Sequence, residues 1–439
     1  MKGQIWDTKP LEFWTKAKEM RAKWEKSIDD KEQVLGQGNG EWPRAFPAVT
    51  VIEDNPAGST IAYRDMEFAR KSRLASEVRG WGKEICGYHG VLWGNQFLGY
   101  QLDGTPFTYR QLVVPAPCVC DCHTKRGIQC RDFSPVPMWM NDHTMYLGDY
   151  DPDREVEMIN HRLYNTLHMI NDIERIFGQK FDDEKMIELR RASSMISEYM
   201  SEVYFMVSNV PAPIGVKDIY SFFQLGALVK FDPLETENLW KLIRDEIKWR
   251  VDNKIAALPT ERFRWMEAHP PSWHFLKYYR YMEQYGGICV GSQYTSNCAK
   301  QLEIKPDGTR GIRDYSYVNQ PADINLDSLE TREDVFRFST SLDSRLPYHF
   351  KQDEYVRPYA LNEFAEYFKC DGAFFGLHRA GVGCTMTRKE QAMRLREAGY
   401  SVMCYEMSQS GDPTDLDEKR LLEELDSWME INGFRKLEG

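Results

Sequence analysis

The chain has no excess of positive charge: 56 Lys and Arg stand against 67 Asp and Glu, a formal net charge of −11. That balance excludes the usual means of holding nucleic-acid backbones or anionic membrane surfaces, which need concentrated cations. Long apolar runs are also missing. The uncharged stretch from Ile85 to Leu102 is broken by Gly, His, Asn and Gln, so it does not read as a membrane span. The opening MKGQIWDTKPLEFW has no apolar core of the secretory type, so the cytoplasm is the expected compartment. No GxxxxGK[ST] phosphate loop, HExxH or GxSxG occurs in the 439 residues. Nucleotide hydrolysis through that loop, and two common hydrolase chemistries, therefore drop out.

Cysteine is plentiful instead, at positions 86, 118, 120, 122, 130, 289, 298, 370, 384 and 404. In a reducing compartment such a count points away from a disulfide framework and toward buried packing or soft-metal ligation. Residues 6–27 have amphipathic spacing and predict a helix, and LGQGNGEWP at 35–43 reads as a glycine-rich linker. Ala48 to Ile52 reads as a short strand and 63–84 as a helix. The runs LVVPA (112–116) and VPMWM (136–140) have the continuous apolar pattern of strands covered on both faces. Helical spacing fills 152–208 and 233–254. Strand and helix then alternate through RFRWME (262–267), GICVG (287–291), AFFGL (373–377), 387–398, SVMCY (401–405) and 417–433.

This pattern predicts an α/β protein with two Rossmann-like parallel-sheet domains joined by a helical segment, plus an N-terminal helical arm. The expected divisions are an arm over 1–45, a first α/β domain over 46–150, a helical segment over 151–258 and a second α/β domain over 259–439.

Three cysteine settings stand out. Cys118, Cys120 and Cys122 sit in PCVCDCH after the LVVPA strand, at the strand end where open parallel sheets collect ligands. Cys86 opens the glycine-rich CGYHGVLWGN, and Cys384 ends HRAGVGC after the AFFGL strand. Glycine lets backbone amides approach a bulky inorganic group, and thiolates from separated loops commonly hold iron–sulfur clusters. Zinc is the weaker reading, because the spacing is not CxxC and no second pair lies nearby. For any one of these residues alone, a buried turn cysteine is the plainer reading.

Residues 370–431, CDGAFFGLHRAGVGCTMTRKEQAMRLREAGYSVMCYEMSQSGDPTDLDEKRLLEELDSWMEI, resemble the large subunits shared by 2-hydroxyacyl-CoA dehydratases and ATP-dependent benzoyl-CoA reductases. VVPAPCVCDCHTK (113–125) and RFRWMEAHPPSWHFLKYYRYMEQYGGICVG (262–291) resemble the same family in the same order. The resemblance implies one [4Fe–4S] cluster held by three cysteines, here Cys86, Cys120 and Cys384. Asp121 and Lys125 keep the family's spacing relative to Cys120, while the CxCxC run leaves Cys118 and Cys122 as rivals. It also implies a homologous second large subunit, an ATP-hydrolysing activator-like pair and reduced ferredoxin as upstream donor. The HRAGVGC turn and the N-terminal arm resemble the reductase's larger, substrate-binding subunit. An aromatic acyl-CoA substrate is then expected, with dehydratase or pure electron-transfer activity as the alternatives. Tyr88, Trp93, Phe97 and Trp139 are candidates for its apolar slot, and His89, His123 and His378 are weaker candidates for a proton donor.

Overall fold

The computed structural model describes residues 4–28, 34–37, 41–47, 50–52, 65–82, 86–100, 112–114, 122, 152–223, 232–267, 276–292, 302–304, 310–312, 317–318, 324–346, 360–377, 388–407 and 417–437. The helices are α1 (Trp14–Ile28), α2 (Met66–Glu77), α3 (Gly87–Leu98), α4 (Pro152–Phe177), α5 (Asp183–Met206), α6 (Val216–Phe223), α7 (Pro233–Asn253), α8 (Leu276–Glu283), α9 (Arg332–Leu346), α10 (Ala360–Tyr367), α11 (Arg388–Glu397) and α12 (Glu418–Ile431). The strands are β1 (Val34–Gln37), β2 (Thr50–Ile52), β3 (Leu112–Val114), β4 (Phe263–Glu267), β5 (Gly287–Ser292), β6 (Leu302–Ile304), β7 (Arg310–Ile312), β8 (Tyr317–Val318), β9 (Ile324–Asn325), β10 (Gly372–Leu377) and β11 (Ser401–Glu406).

Aspartate starts several of these helices. The Asp65 carboxylate accepts from the amides of Glu67 and Phe68, both at 3.0 Å. Asp182, Asp232 and Asp417 cap α5, α7 and α12 in the same way. Each satisfies amide donors that a first helical turn leaves unpaired, with its charge at the favourable end of the helix dipole.

The first sheet is parallel with order β2-β1-β3. Its middle strand overlaps the start of the stretch that reads as a glycine-rich linker: Leu35 pairs with both Val51 and Leu112. Four residues containing a glycine carry too little periodicity to announce a strand, and two neighbours supply the hydrogen bonds instead. The expected helix over 6–27 begins only at Trp14. Before it the chain is extended, with Ile5 bridged to Thr260 and Thr8 to Ala256. Pro10 and the Arg250 guanidinium, which donates to the Lys9 carbonyl at 3.0 Å, hold that segment out of the helix.

The second sheet has four parallel strands in the order β11-β10-β4-β5, which is 2-1-3-4 by chain position. The first sheet has the same 2-1-3 order. In such sheets the connections leave in opposite directions from the first strand, and a crevice opens outside the carboxyl ends of strands one and three. One face of the second sheet (Met266, Ile288, Val290, Ala373, Phe375) packs into a core with α1, α5 and α7. The other face (Trp265, Phe374, Met403, Tyr405) packs with α8, α12 and Tyr220 of α6. A separate cluster joins Leu163 and Ile170 of α4, Leu189 of α5 and Phe338 of α9. Among the described residues no helix is long and apolar enough to cross a membrane.

Candidate functional site

The glycine-rich segment after Cys86 is a helix, not an open turn. Cys86 precedes α3, and its carbonyl accepts from the Gly90 amide at 3.0 Å. The glycines serve helix packing: a Cβ at Gly94 would lie 1.6 Å from the carbonyl oxygen of Ser72 in α2. Ser76 Oγ donates to the Gly90 carbonyl and Ser72 Oγ to Asn95 Oδ1, both at 2.7 Å, which fixes the register of the two helices.

This helix pair presents Cys86 to Cys122. The Cys86 amide donates to Cys122 Sγ at 3.4 Å, and both thiols are buried. Trp93 completes their apolar cluster, with Trp81, Tyr88 and Phe97 packed against it. The Trp81 and Trp93 rings lie 5.4 Å apart, and His89, itself buried, stacks on Trp93 at 5.9 Å. Burial, with Cys122 as the second cause, pushes the Cys86 thiol up to about 12, while the Tyr88 and His89 amides and the Arg73 guanidinium pull the other way. Arg73 is itself buried and paired with Glu77 at 3.2 Å. The Cys86 thiol is therefore neutral near pH 7 unless a metal displaces its proton.

The donor set suits a thiolate-bound group. Two buried cysteines from separate segments share one apolar cluster, with the amide of one on the sulfur of the other. The buried Trp93 indole N–H has no acceptor among the described residues, and cluster sulfides are natural acceptors. Among the described residues no three His, Cys, Asp or Glu side chains are gathered as a metal site. Of the cysteines the sequence singles out, the structure therefore brings together Cys86 and Cys122. Cys120 and Cys384 lie outside the described residues, as do Cys118, His123, His378 and Trp139.

Chain connectivity adds a further relation. In both sheets a cysteine segment follows the third strand: Cys118 comes four residues after β3, and Cys384 seven after β10. Burial and then Glu267, Tyr278 and Tyr88 push the Tyr405 hydroxyl up, so the second residue past Cys86 acts on β11 of the second sheet.

Of the remaining cysteines, Cys289 and Cys370 are buried and their thiols are pushed up chiefly by burial, as packing cysteines are. Cys404 is half-buried on the edge strand β11, with Arg396 Nη2 at 3.6 Å. Arg73 and Glu267 have no counterpart in the sequence reading. A charged residue on an amphipathic helix, or closing an apolar strand, looks like a solvent-facing one until the fold buries it.

The model of a family described as "2-hydroxyglutaryl-CoA dehydratase, D-component" matches residues 82–426. No curated protein matches the chain.

Proposed function

We infer the function from membership: the chain belongs to the 2-hydroxyglutaryl-CoA dehydratase D-component family, and is a subunit of a multi-subunit enzyme of that dehydratase-like class. Within it, we propose an iron–sulfur subunit of an ATP-dependent aryl-CoA reductase, acting on benzoyl-CoA or a close relative and yielding a cyclohexadienoyl-CoA. The observation that carries the iron–sulfur reading is the buried Cys86–Cys122 contact beneath Trp93. The reductase reading rests on the HRAGVGC turn at 378–384.

Cys86, Cys384 and one thiol of the 118–122 run would hold a [4Fe–4S] cluster. Cys122 rests against the Cys86 amide, and Cys120 is its rival through the spacing of Asp121 and Lys125. Held by three protein thiolates, such a cluster would keep one iron free of a protein ligand and would supply low-potential electrons. The chain's own residues set its surroundings. The Trp81, Trp93, Tyr88 and Phe97 wall excludes water, and Arg73 places a buried positive charge on the cysteine side. A homologous large subunit, an ATP-hydrolysing pair and reduced ferredoxin complete the proposed assembly in the cytoplasm. The absence of a phosphate loop from this sequence agrees with ATP hydrolysis on a separate subunit.

Anaerobic purification with the partner subunits tests both readings. Iron and acid-labile sulfide are expected near four each per chain, the content of one such cluster. Loss of benzoyl-CoA should require ATP and a strong reductant. Turnover of a 2-hydroxyacyl-CoA in its place would move the assignment to the dehydratases, the reading that the family's description favours. Cys86→Ala and Cys384→Ala are expected to lose the iron and Cys404→Ala to keep it. Comparing Cys118→Ala, Cys120→Ala and Cys122→Ala identifies the third ligand.

A further inference from the structure

At the carboxyl end of β4, outside which the switch-point crevice opens, lies a cluster that the cysteine site does not use. Glu267 closes β4 and Ser292 closes β5, and the two are paired across the sheet. Tyr220 reaches them from α6. All three are buried, at 4%, 0% and 1% exposure. Ser292 Oγ lies 2.9 Å from Glu267 Oε1 and 2.7 Å from the Tyr220 hydroxyl, which also hydrogen-bonds Glu267 Oε1. Ser292 is fixed from behind: its amide donates to the Tyr204 hydroxyl at 2.7 Å, which donates to the Ser292 carbonyl at 2.6 Å.

Counting protons decides the state of this ring. Three oxygens make three mutual contacts, and each contact needs one proton between its atoms. The Tyr220 and Ser292 hydroxyls bring two. An ionised Glu267 brings none, which would leave one pair of lone pairs opposed at hydrogen-bond distance in the resting, buried ring. A neutral carboxyl brings the third, so that Glu267 donates to Tyr220, Tyr220 to Ser292 and Ser292 to Glu267, or the reverse. The surroundings agree. Burial pushes the Glu267 carboxyl well up, and the Ser292 hydrogen bond opposes it. Among the described residues, the titratable groups coupled to Glu267 are Cys289 and Tyr405, which are coupled in turn to Cys370, Tyr278 and Tyr88, and none of these is cationic when ionised. Two further donors in the same layer, Trp265 Nε1 and the Tyr279 hydroxyl, are buried with no partner among the described residues. Their rings lie 4.8 Å apart, and Trp265 is on the Glu267 face of β4. Chain connectivity also places the Cys384 segment directly after β10, the strand paired with β4 through Phe374 and Glu267.

We propose that Glu267, closed into a ring with Tyr220 and Ser292, is a neutral acid that stores the proton delivered to the substrate at the carboxyl edge of the second sheet. The neutral acid stands on the ring geometry alone, while the proton's destination rests on the aryl-CoA reading above. In that reading the thioester-activated ring takes an electron from the low-potential donor and becomes a radical anion. The Glu267 O–H bond then breaks and a ring C–H bond forms. The carboxylate left behind accepts from Tyr220 and Ser292, and water returns its proton after the product leaves. A second electron and a second proton, not assigned to this residue, complete the two-electron reduction.

Infrared difference spectra between wild type and Glu267→Gln at neutral pH test the stored proton. The expected result is loss of a protonated-carboxyl C=O stretch, one that shifts in D2O in the wild type and also shifts in Tyr220→Phe. Loss of carboxylate bands instead overturns the proposal. In the assembled, cluster-loaded complex with ATP and a strong reductant, Glu267→Gln should reduce benzoyl-CoA on the order of 10²- to 10⁴-fold more slowly, the usual loss when a general acid is removed. Benzoyl-CoA binding and the cluster's electron paramagnetic resonance signal should be unchanged. A variant that turns over at the wild-type rate overturns the proton's delivery. An acid band in a wild type inert toward benzoyl-CoA overturns the proton's destination and the aryl-CoA reading while upholding the neutral acid.

Discussion

Two glycines one turn apart in α3 should respond to the same substitution with opposite signs. At Gly94 an added Cβ would sit 1.6 Å from the Ser72 carbonyl oxygen, 2.1 Å from its carbon and 2.6 Å from its Cα. These are backbone atoms and cannot rotate aside. Since ordinary contact begins near 3.5 Å, the helices must part by about 2 Å. Parting stretches the 2.7 Å bonds from Ser72 to Asn95 and from Ser76 to Gly90 beyond reach. Overpacking of this kind costs roughly 1–3 kcal/mol, and each buried hydrogen bond left unmade about 1 kcal/mol more. Gly94→Ala should therefore destabilise the α2–α3 pair by about 3–5 kcal/mol. At Gly90 the nearest atom to a new Cβ is Arg73 Cγ at 3.7 Å, an ordinary contact. Gly90→Ala removes only a flexible helix residue and should stabilise by roughly 0.5–1 kcal/mol. Native-state hydrogen exchange of the α2 and α3 amides reads both changes locally, without assuming that the whole chain unfolds in one step. If the two variants shift exchange in the same direction, the close approach of α2 and α3 is not what these glycines serve.

Other outcomes follow from groups elsewhere in the chain. Arg264 is buried and donates to the carbonyls of Val207, Asn209 and Phe368 at 3.0–3.1 Å besides pairing with Glu261. Arg264→Met should cost about 3–5 kcal/mol in urea denaturation, because it strands a buried carboxylate and three acceptors. For Asp426, burial raises the carboxyl, yet hydrogen bonds from Tyr285 (2.5 Å), Tyr281 (2.7 Å) and Lys436 (3.3 Å) hold it below its ordinary 3.8. A depressed carboxyl stabilises the fold above the unfolded value, and this is lost as pH falls through the folded value. Asp426→Asn should therefore flatten the loss of stability on acidification from neutral pH to about 2, read as the denaturation midpoint at each pH.

Much of the second sheet is legible in the sequence because its strands are apolar runs bounded by glycine or charge. RFRWME, GICVG, AFFGL and SVMCY lie within a residue or two of β4, β5, β10 and β11. β1 is not legible, since a four-residue strand draws its stability from neighbours 16 and 77 residues away, as Leu35 does from Val51 and Leu112. The glycines at 87, 90 and 94 read as loop by composition, although two of them face α2 across a close helix contact or a serine hydrogen bond. Cys86 is legible as a candidate from its setting. The seating of Cys122 against it is not, because sequence spacing alone cannot choose among 118, 120 and 122. Glu267 is the least legible, as its partners Ser292 and Tyr220 lie 25 and 47 residues off in sequence.

The core that α1, α5 and α7 share with the second sheet has a consequence for how this chain can be divided. Ile243, Trp240 and Val203 lie in one cluster with Met266, Val290 and Phe375, and Arg264 ties β4 to the end of α5. A fragment starting at residue 259 would carry every strand of that sheet yet leave one of its faces bare. Exposed parallel sheet of this kind invites self-association. The smallest piece able to stand alone therefore includes the preceding helices, so a linear map of the chain and the map of what folds together do not share their borders.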